Sequence, residues 1–405
     1  MGIYHNMKIT TYNNQSIDAD ITPASGASLV ALPGLIDPHV HFRVPGAEHK
    51  EDWITGSAAA LAGGVTTVID MPNNTPPVID YASLMSKKKI VDEQIAPSGH
   101  ALRYFFYLGA TPTNWIEFEK CQREVIGIKL FMGASTGDLL VDKLSDQERI
   151  FAEAARLDML VAVHAEDDAT IKAQHLSSRA NPPAGGGVEG SVATHSQLRP
   201  RSAAIIAVQK AIMLAEKYGT RLYICHVSTS DEIDLIRAAK TRGVKVFCEV
   251  APHHLFFNQS AYETLGAKVQ MNPPLRTAED QTALWQAIAD GTVDTIGTDH
   301  APHTLTEKAK IYPATPSGVP GVENYLALLL NAHNQGKITI EKIVALTHDN
   351  PQSIFRLPEI NDWVVVDLNQ EKTVRDEDQK TKCGWSPYSG MKLKGWPLAI
   401  VSITK

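Results

Sequence analysis

The segment "GLIDPHVHFRVPG" (34–46) sets His39 and His41 two residues apart, with Arg43 close behind. On a strand, side chains two apart point the same way, so both imidazoles face one side. Three more segments share that form, an apolar run ending in a metal-competent residue. They place His164 in "VAVHAE", His226 in "YICHV" and Asp299 in "TIGTDHAPH". Lys129 lies inside the apolar run "IGIKLFM", where an ammonium is costly unless it is paired or modified. A lone histidine at a strand end is more often structural, and two histidines around one residue are a weak signal. The joint pattern at four strand ends points to a metal site.

Four imidazoles and a carboxylate exceed the three protein ligands of a single catalytic zinc. Two metals need a bridge. A neutral Lys129 amine that reacts with carbon dioxide becomes a carbamate, an anion with two oxygens able to span two cations. Two zinc ions bring about +4, and carbamate, Asp299 and a bridging hydroxide remove one each, leaving about +1. Such a centre attracts an anionic substrate and lowers the pKa of bound water.

These residues need elements that bring them together. Eight short apolar, β-branched runs read as strands: 35–41, 66–71, 103–109, 126–131, 160–164, 222–226, 245–250 and 294–299. Helical patterns such as "DWITGSAAALAGG" and "STSDEIDLIRAAKTRG" alternate with them, beginning near Asp, Ser or Thr and ending in Gly. Strand–helix alternation makes a parallel sheet. The expected fold class is α/β, a (β/α)8 TIM-like barrel over 34–355, whose C-terminal strand ends converge on one site. An open doubly wound sheet is the alternative, although no glycine-rich nucleotide signature follows the first strand. Residues 1–33 and 356–405 carry separate β runs, among them "DWVVVDL" and "LAIVSI". They are expected to form a small β-rich subdomain beside the barrel.

Composition narrows the function. A net charge of −7 without long runs of one sign argues against nucleic-acid or polybasic membrane surfaces. No run is long and apolar enough for a membrane span, and nothing resembles a signal peptide. Cys121, Cys225, Cys248 and Cys383 form no CxxC pair, which suits free thiols in a reducing cytoplasm. Cys225, next to His226 on a strand, is expected to face the other way and pack in the core. Glu249, His254 and His300 are expected to orient ligands or loops, and His195 to be an ordinary surface or structural residue.

"DPHVHFR", "GVTTVIDMPNNTPP", "GIKLFM", "CEVAPHHLFF", "GTDHAPHT" and "SGVPGVEN" together resemble the dihydroorotases of the amidohydrolase superfamily. The resemblance implies His39, His41, Lys129 and Asp299 around one zinc, and Lys129, His164 and His226 around the other. Lys129 stands where some members carry a carboxylated lysine. It also implies Arg43, Asn73, Asn272 and His303 as substrate-binding residues, with Arg43 suited to a planar carboxylate. Ser135 and Thr136 would lie on a loop closing over substrate.

The implied reaction interconverts L-dihydroorotate and N-carbamoyl-L-aspartate, a step of pyrimidine biosynthesis. A metal-bridging hydroxide attacks the ring amide, and Asp299 carries its proton to the leaving nitrogen. A homodimer and, in some members, association with aspartate transcarbamoylase are implied as partners. The alternatives are another cyclic amidohydrolase, allantoinase or dihydropyrimidinase, and a non-catalytic relative that serves in assembly. Members usually carry an acidic residue where this chain has Val44. That departure bears on how firmly the turn holds Arg43, so Val44→Glu is expected to change KM more than metal content.

Overall fold

The computed structural model describes residues 6–133, 139–180 and 191–402. Ser135 and Thr136 lie outside the described residues. The chain opens with a hairpin, β1 (Asn6–Thr10) against β2 (Ser16–Asp20), followed by β3 (Leu29–Pro33). Eight parallel strands then form one sheet. They are β4 (Leu35–Val40), β5 (Val65–Asp70), β6 (Arg103–Gly109), β7 (Gly127–Phe131), β8 (Leu160–His164), β9 (Arg221–Ile224), β10 (Val246–Val250) and β11 (Thr295–Ile296). Helices cover the outside, among them α1 (Trp53–Ala62), α2 (Tyr81–Ser98), α3 (Leu144–Arg156), α4 (Asp168–Ala180), α5 (Arg201–Tyr218), α6 (Ser230–Thr241) and α7 (Ala278–Asp290).

Local chemistry fixes the helix starts. Asp52 accepts hydrogen bonds from the amides of Ile54 and Thr55 at the head of α1. Thr229 with Glu232, and Thr277 with Asp280, make reciprocal caps on α6 and α7. The strands are buried on both faces, which explains their near-continuous apolar runs. One face packs on the helices. The other fills the barrel interior with Ile36, Ile69, Tyr107, Ala162 and Tyr223.

The barrel closes between its first and last strands. Val40 bridges His300 in parallel, and the His41 amide donates to the His300 carbonyl at 2.8 Å. The buried Asp37 carboxylate accepts from the Thr298 amide at 3.0 Å and from its hydroxyl. β9 and β11 are shorter than the sequence runs suggest. His226 and Asp299 adopt left-handed backbone conformations, φ 39° and 48°, after these strands end.

The flanking segments pair with each other. β3 runs antiparallel to β12 (Asp362–Thr373), and β12 to β13 (Lys392–Ser402), as a separate three-stranded sheet. No helix among the described residues is long and apolar enough to cross a membrane.

Candidate metal centre

The strand ends bring the candidate ligands into one narrow cleft, lined by His39, His41, Lys129, His164, His226 and Asp299. Asp299 Oδ1 lies 3.2 Å from His39 Nε2 and 3.1 Å from His41 Nε2. His164 Nδ1 is 3.0 Å from His226 Nε2. The His39 and His226 rings, 5.4 Å apart between centroids, join the two groups. A wider groove beside β13, lined by Trp396, Leu398 and Ile400, contains none of these ligands.

The hydrogen bonds behind the imidazoles set what their free nitrogens can do. His39 Nδ1 donates to Glu249 Oε1 at 2.9 Å, and His41 Nδ1 donates to Asn73 Oδ1 at 2.8 Å. A neutral imidazole with its proton on Nδ1 presents a lone pair at Nε2. Two such lone pairs then face the Asp299 carboxylate oxygen, an arrangement that calls for a cation among them. Protonation is the other way to supply one. Burial alone would lower His39, but Glu249 and Asp299 outweigh it and push its pKa to about 10. Burial takes His41 the other way, to about 3, despite Asp299. His164 and His226 are also lowered by burial, His164 despite Glu166 Oε2 lying 3.1 Å from its Nε2, and His226 Nδ1 is buried without a hydrogen-bond partner. The neutral imidazoles of His41, His164 and His226, with His39 held between two carboxylates, make a donor set that fits a metal centre.

Glu249 carries more than His39. Its Oε1 also accepts from the His226 amide at 3.0 Å, and its Oε2 from the Tyr223 hydroxyl at 2.9 Å. Bare backbone at Gly297 makes room for it: a Cβ there would sit 2.2 Å from Glu249 Oε2. Lys129 is buried, and its Nζ donates to Cys225 Sγ at 3.0 Å. The expected opposition of Cys225 and His226 therefore fails. Cys225 follows Tyr223 into the barrel interior, and the left-handed turn at His226 brings the next side chain inward too.

Arg43, Asn73 and Asn272 line the same cleft. His303 does not. It is fully buried one layer back, with Nε2 3.2 Å from Arg43 Nη2 and Nδ1 3.2 Å from Lys50 Nζ. Arg43 Nε donates to the Pro302 carbonyl at 3.2 Å. Asn272 Oδ1 accepts from His195 Nε2 at 3.0 Å and Ser317 Oγ at 3.1 Å, so His195 is a buried structural residue behind the cleft. Phe131, Ala301, Ser317 and Gly318 complete the lining and were not singled out from sequence. The "SGVPG" run was the available signal for the last two.

Val44 differs from its expected place in a polar turn. It is completely buried in the main core. Val44→Glu therefore puts a carboxylate into that core, at a cost of about 3 kcal/mol or more. The expected first effect becomes a lower unfolding midpoint in denaturant. A variant as stable as the parent would show that this side chain finds water or a cation.

A parallel eight-stranded barrel with histidines, a lysine and an aspartate gathered at its C-terminal strand ends carries them where barrel enzymes place their active sites. Residues 30–358 match the Amidohydrolase family, and the chain belongs to it. It is 35% identical over 386 residues to a dihydroorotase of Halobacterium salinarum, covering 93% of this chain and 86% of that one. It is also 37% identical over 381 residues to the multifunctional protein CAD of Squalus acanthias, spanning 94% of this chain but only 15% of that protein. Among solved structures, the L-hydantoinase (dihydropyrimidinase) of Arthrobacter aurescens superposes with a TM-score of 0.86 at 27% identity. That match covers 96% of this chain and 88% of the other.

Proposed function

We propose that this chain is a dihydroorotase, interconverting L-dihydroorotate and N-carbamoyl-L-aspartate. The observation that carries the reading is an arginine in the same cleft as the histidine–aspartate cluster, in a chain similar to proteins named dihydroorotase. Dihydroorotate carries a carboxylate, and a guanidinium binds one through paired, charge-assisted hydrogen bonds.

In this reading His39, His41 and Asp299 would hold one zinc ion and His164 and His226 a second, with Lys129, as its carbamate, supplying an anionic ligand to them. When bound, the metals supply an activated hydroxide and polarise the ring amide carbonyl. The protein's own work is positioning and proton transfer. Arg43 grips the substrate carboxylate, and Asn73 and Asn272 address the ring. His303 acts through Arg43. Asp299 accepts a proton from the attacking water and passes it to the leaving ring nitrogen. Glu249 and Asn73 keep the Nδ1 atoms of His39 and His41 occupied, so that Nε2 faces the centre.

The likeness to a hydantoinase supports a second reading, a hydrolase of neutral cyclic amides. Arg43 separates the two, because a neutral ring has no carboxylate to bind. Activity on dihydroorotate, allantoin and dihydrouracil with added zinc is expected to favour dihydroorotate. Arg43→Met should remove about 1.5–3 kcal/mol of substrate binding, raising KM for dihydroorotate about ten- to hundredfold. A preference for dihydrouracil, or an unchanged KM in that variant, would overturn the assignment.

The remaining proposals concern setting. Residues 34–355 form the hydrolase barrel, with 1–33 and 356–405 as its small β-rich partner. The cytoplasm suits four cysteines that are all free. A homodimer is proposed. Association with aspartate transcarbamoylase is proposed as well, supported by relatives in which a matching segment is one part of a multifunctional protein.

A further inference from the structure

Lys87 on α2 is 1% exposed and uses all three ammonium hydrogens. It donates to Asp70 Oδ2, to the Met71 carbonyl at 3.0 Å and to Asn74 Oδ1 at 2.9 Å. Asp70, at the end of β5, is fully buried, and its Oδ1 accepts from the Phe42 amide at 2.7 Å. Asn74 Nδ2 donates to the Val44 carbonyl at 2.9 Å. The residues on either side of Arg43 are thus pinned to one lysine, one through its amide and the other through its carbonyl.

Arg43 needs such pins. Its φ is 65°, a left-handed conformation that costs a non-glycine residue about 1–2 kcal/mol. Strain of this kind persists where surrounding contacts over-determine it.

We infer that Lys87, through Asp70 and Asn74, is the positioning residue that holds Arg43 in the cleft. It sets substrate affinity rather than metal occupancy. This rests on the dihydroorotase reading for its substrate. The rival is a buried ion pair that only stabilises the barrel. Such a pair can be replaced by neutral residues of similar size at little cost, and substrate affinity would not change.

The test uses the full chain loaded with zinc. Lys87→Met combined with Asp70→Asn removes both charges and leaves an oxygen for the Phe42 amide. Asn74→Ala breaks only the link to Val44. The expected result for the double variant is a KM for dihydroorotate raised about tenfold or more, with kcat and zinc content close to the parent. Asn74→Ala should move KM the same way by less. A folded double variant with parental KM overturns the inference, as does a loss of zinc that matches the loss of activity. If the double variant does not fold, Asn74→Ala decides, and an unchanged KM overturns it. If the parent itself does not turn over dihydroorotate, the functional reading has failed, and the brace is read by amide hydrogen exchange in Asn74→Ala. Faster exchange confined to 42–46 and 71–75 then supports the brace, and parental exchange there overturns it.

Discussion

Asp299→Asn is expected to cut dihydroorotate turnover about a thousandfold or more while the barrel stays folded and keeps most of its zinc. The variant retains an oxygen at Oδ1, the atom within 3.2 Å of both His39 Nε2 and His41 Nε2. It loses the ability to accept and return a proton. Folding should survive because barrel closure rests on neighbouring groups: the Val40–His300 bridge and the bonds from Thr298 to Asp37. Asp299→Ala goes further. It removes the oxygen as well, leaves the His39 and His41 lone pairs without their carboxylate, and should lower zinc content along with turnover. The pair of variants separates proton transfer from metal holding. Turnover, zinc content and unfolding midpoint are measured together. Near-parental turnover in zinc-loaded Asp299→Asn would remove Asp299 from the proton path.

The fold was legible because each strand is a short apolar run that ends in a polar residue, a pattern that survives in sequence. The site was legible for the same reason: His39, His164, His226 and Asp299 stand at or just beyond the ends of those runs. Long-range partners leave no such mark. Glu249 reads as a residue that orients a ligand, but nothing near it in the chain announces that the ligand is His39, some 210 positions away. Nothing near Asp70 announces that it holds the Phe42 amide. Alternation also fails where the backbone leaves the extended region, which is why Cys225 and His226 both turn inward. Val44 reads as a turn residue from its neighbours Pro45 and Gly46, yet its side chain points into the core.

Lys129→Ala is expected to lose about a hundredfold or more in activity together with part of the zinc. Lys129 is 1% exposed, and among the described residues no carboxylate forms an ion pair with it. Its Nζ has Cys225 Sγ at 3.0 Å and the Phe131 ring centroid at 5.1 Å. A lone ammonium in such surroundings bears a desolvation cost of several kcal/mol. The carbamate removes that charge. The neutral amine nitrogen forms a bond to the carbon of carbon dioxide and releases one proton, and the product is an anion beside His164 and His226. Those imidazoles turn His164 Nδ1 and His226 Nε2 toward each other at 3.0 Å, while His164 Nε2 lies 3.1 Å from Glu166 Oε2, so two ring nitrogens would be available to a cation beside the new carboxylate. Three readouts follow from this chemistry. Isotopically labelled bicarbonate should give a carbamate carbon resonance in the parent that is absent in Lys129→Ala. Zinc content should fall in the variant. Acetate or propionate, entering the space the side chain leaves, should restore part of the activity by supplying a carboxylate where the carbamate stood. A parent enzyme that is fully active and zinc-loaded yet shows no carbamate signal would assign Lys129 a different role, and the bridge between the metals would then have to come from water alone.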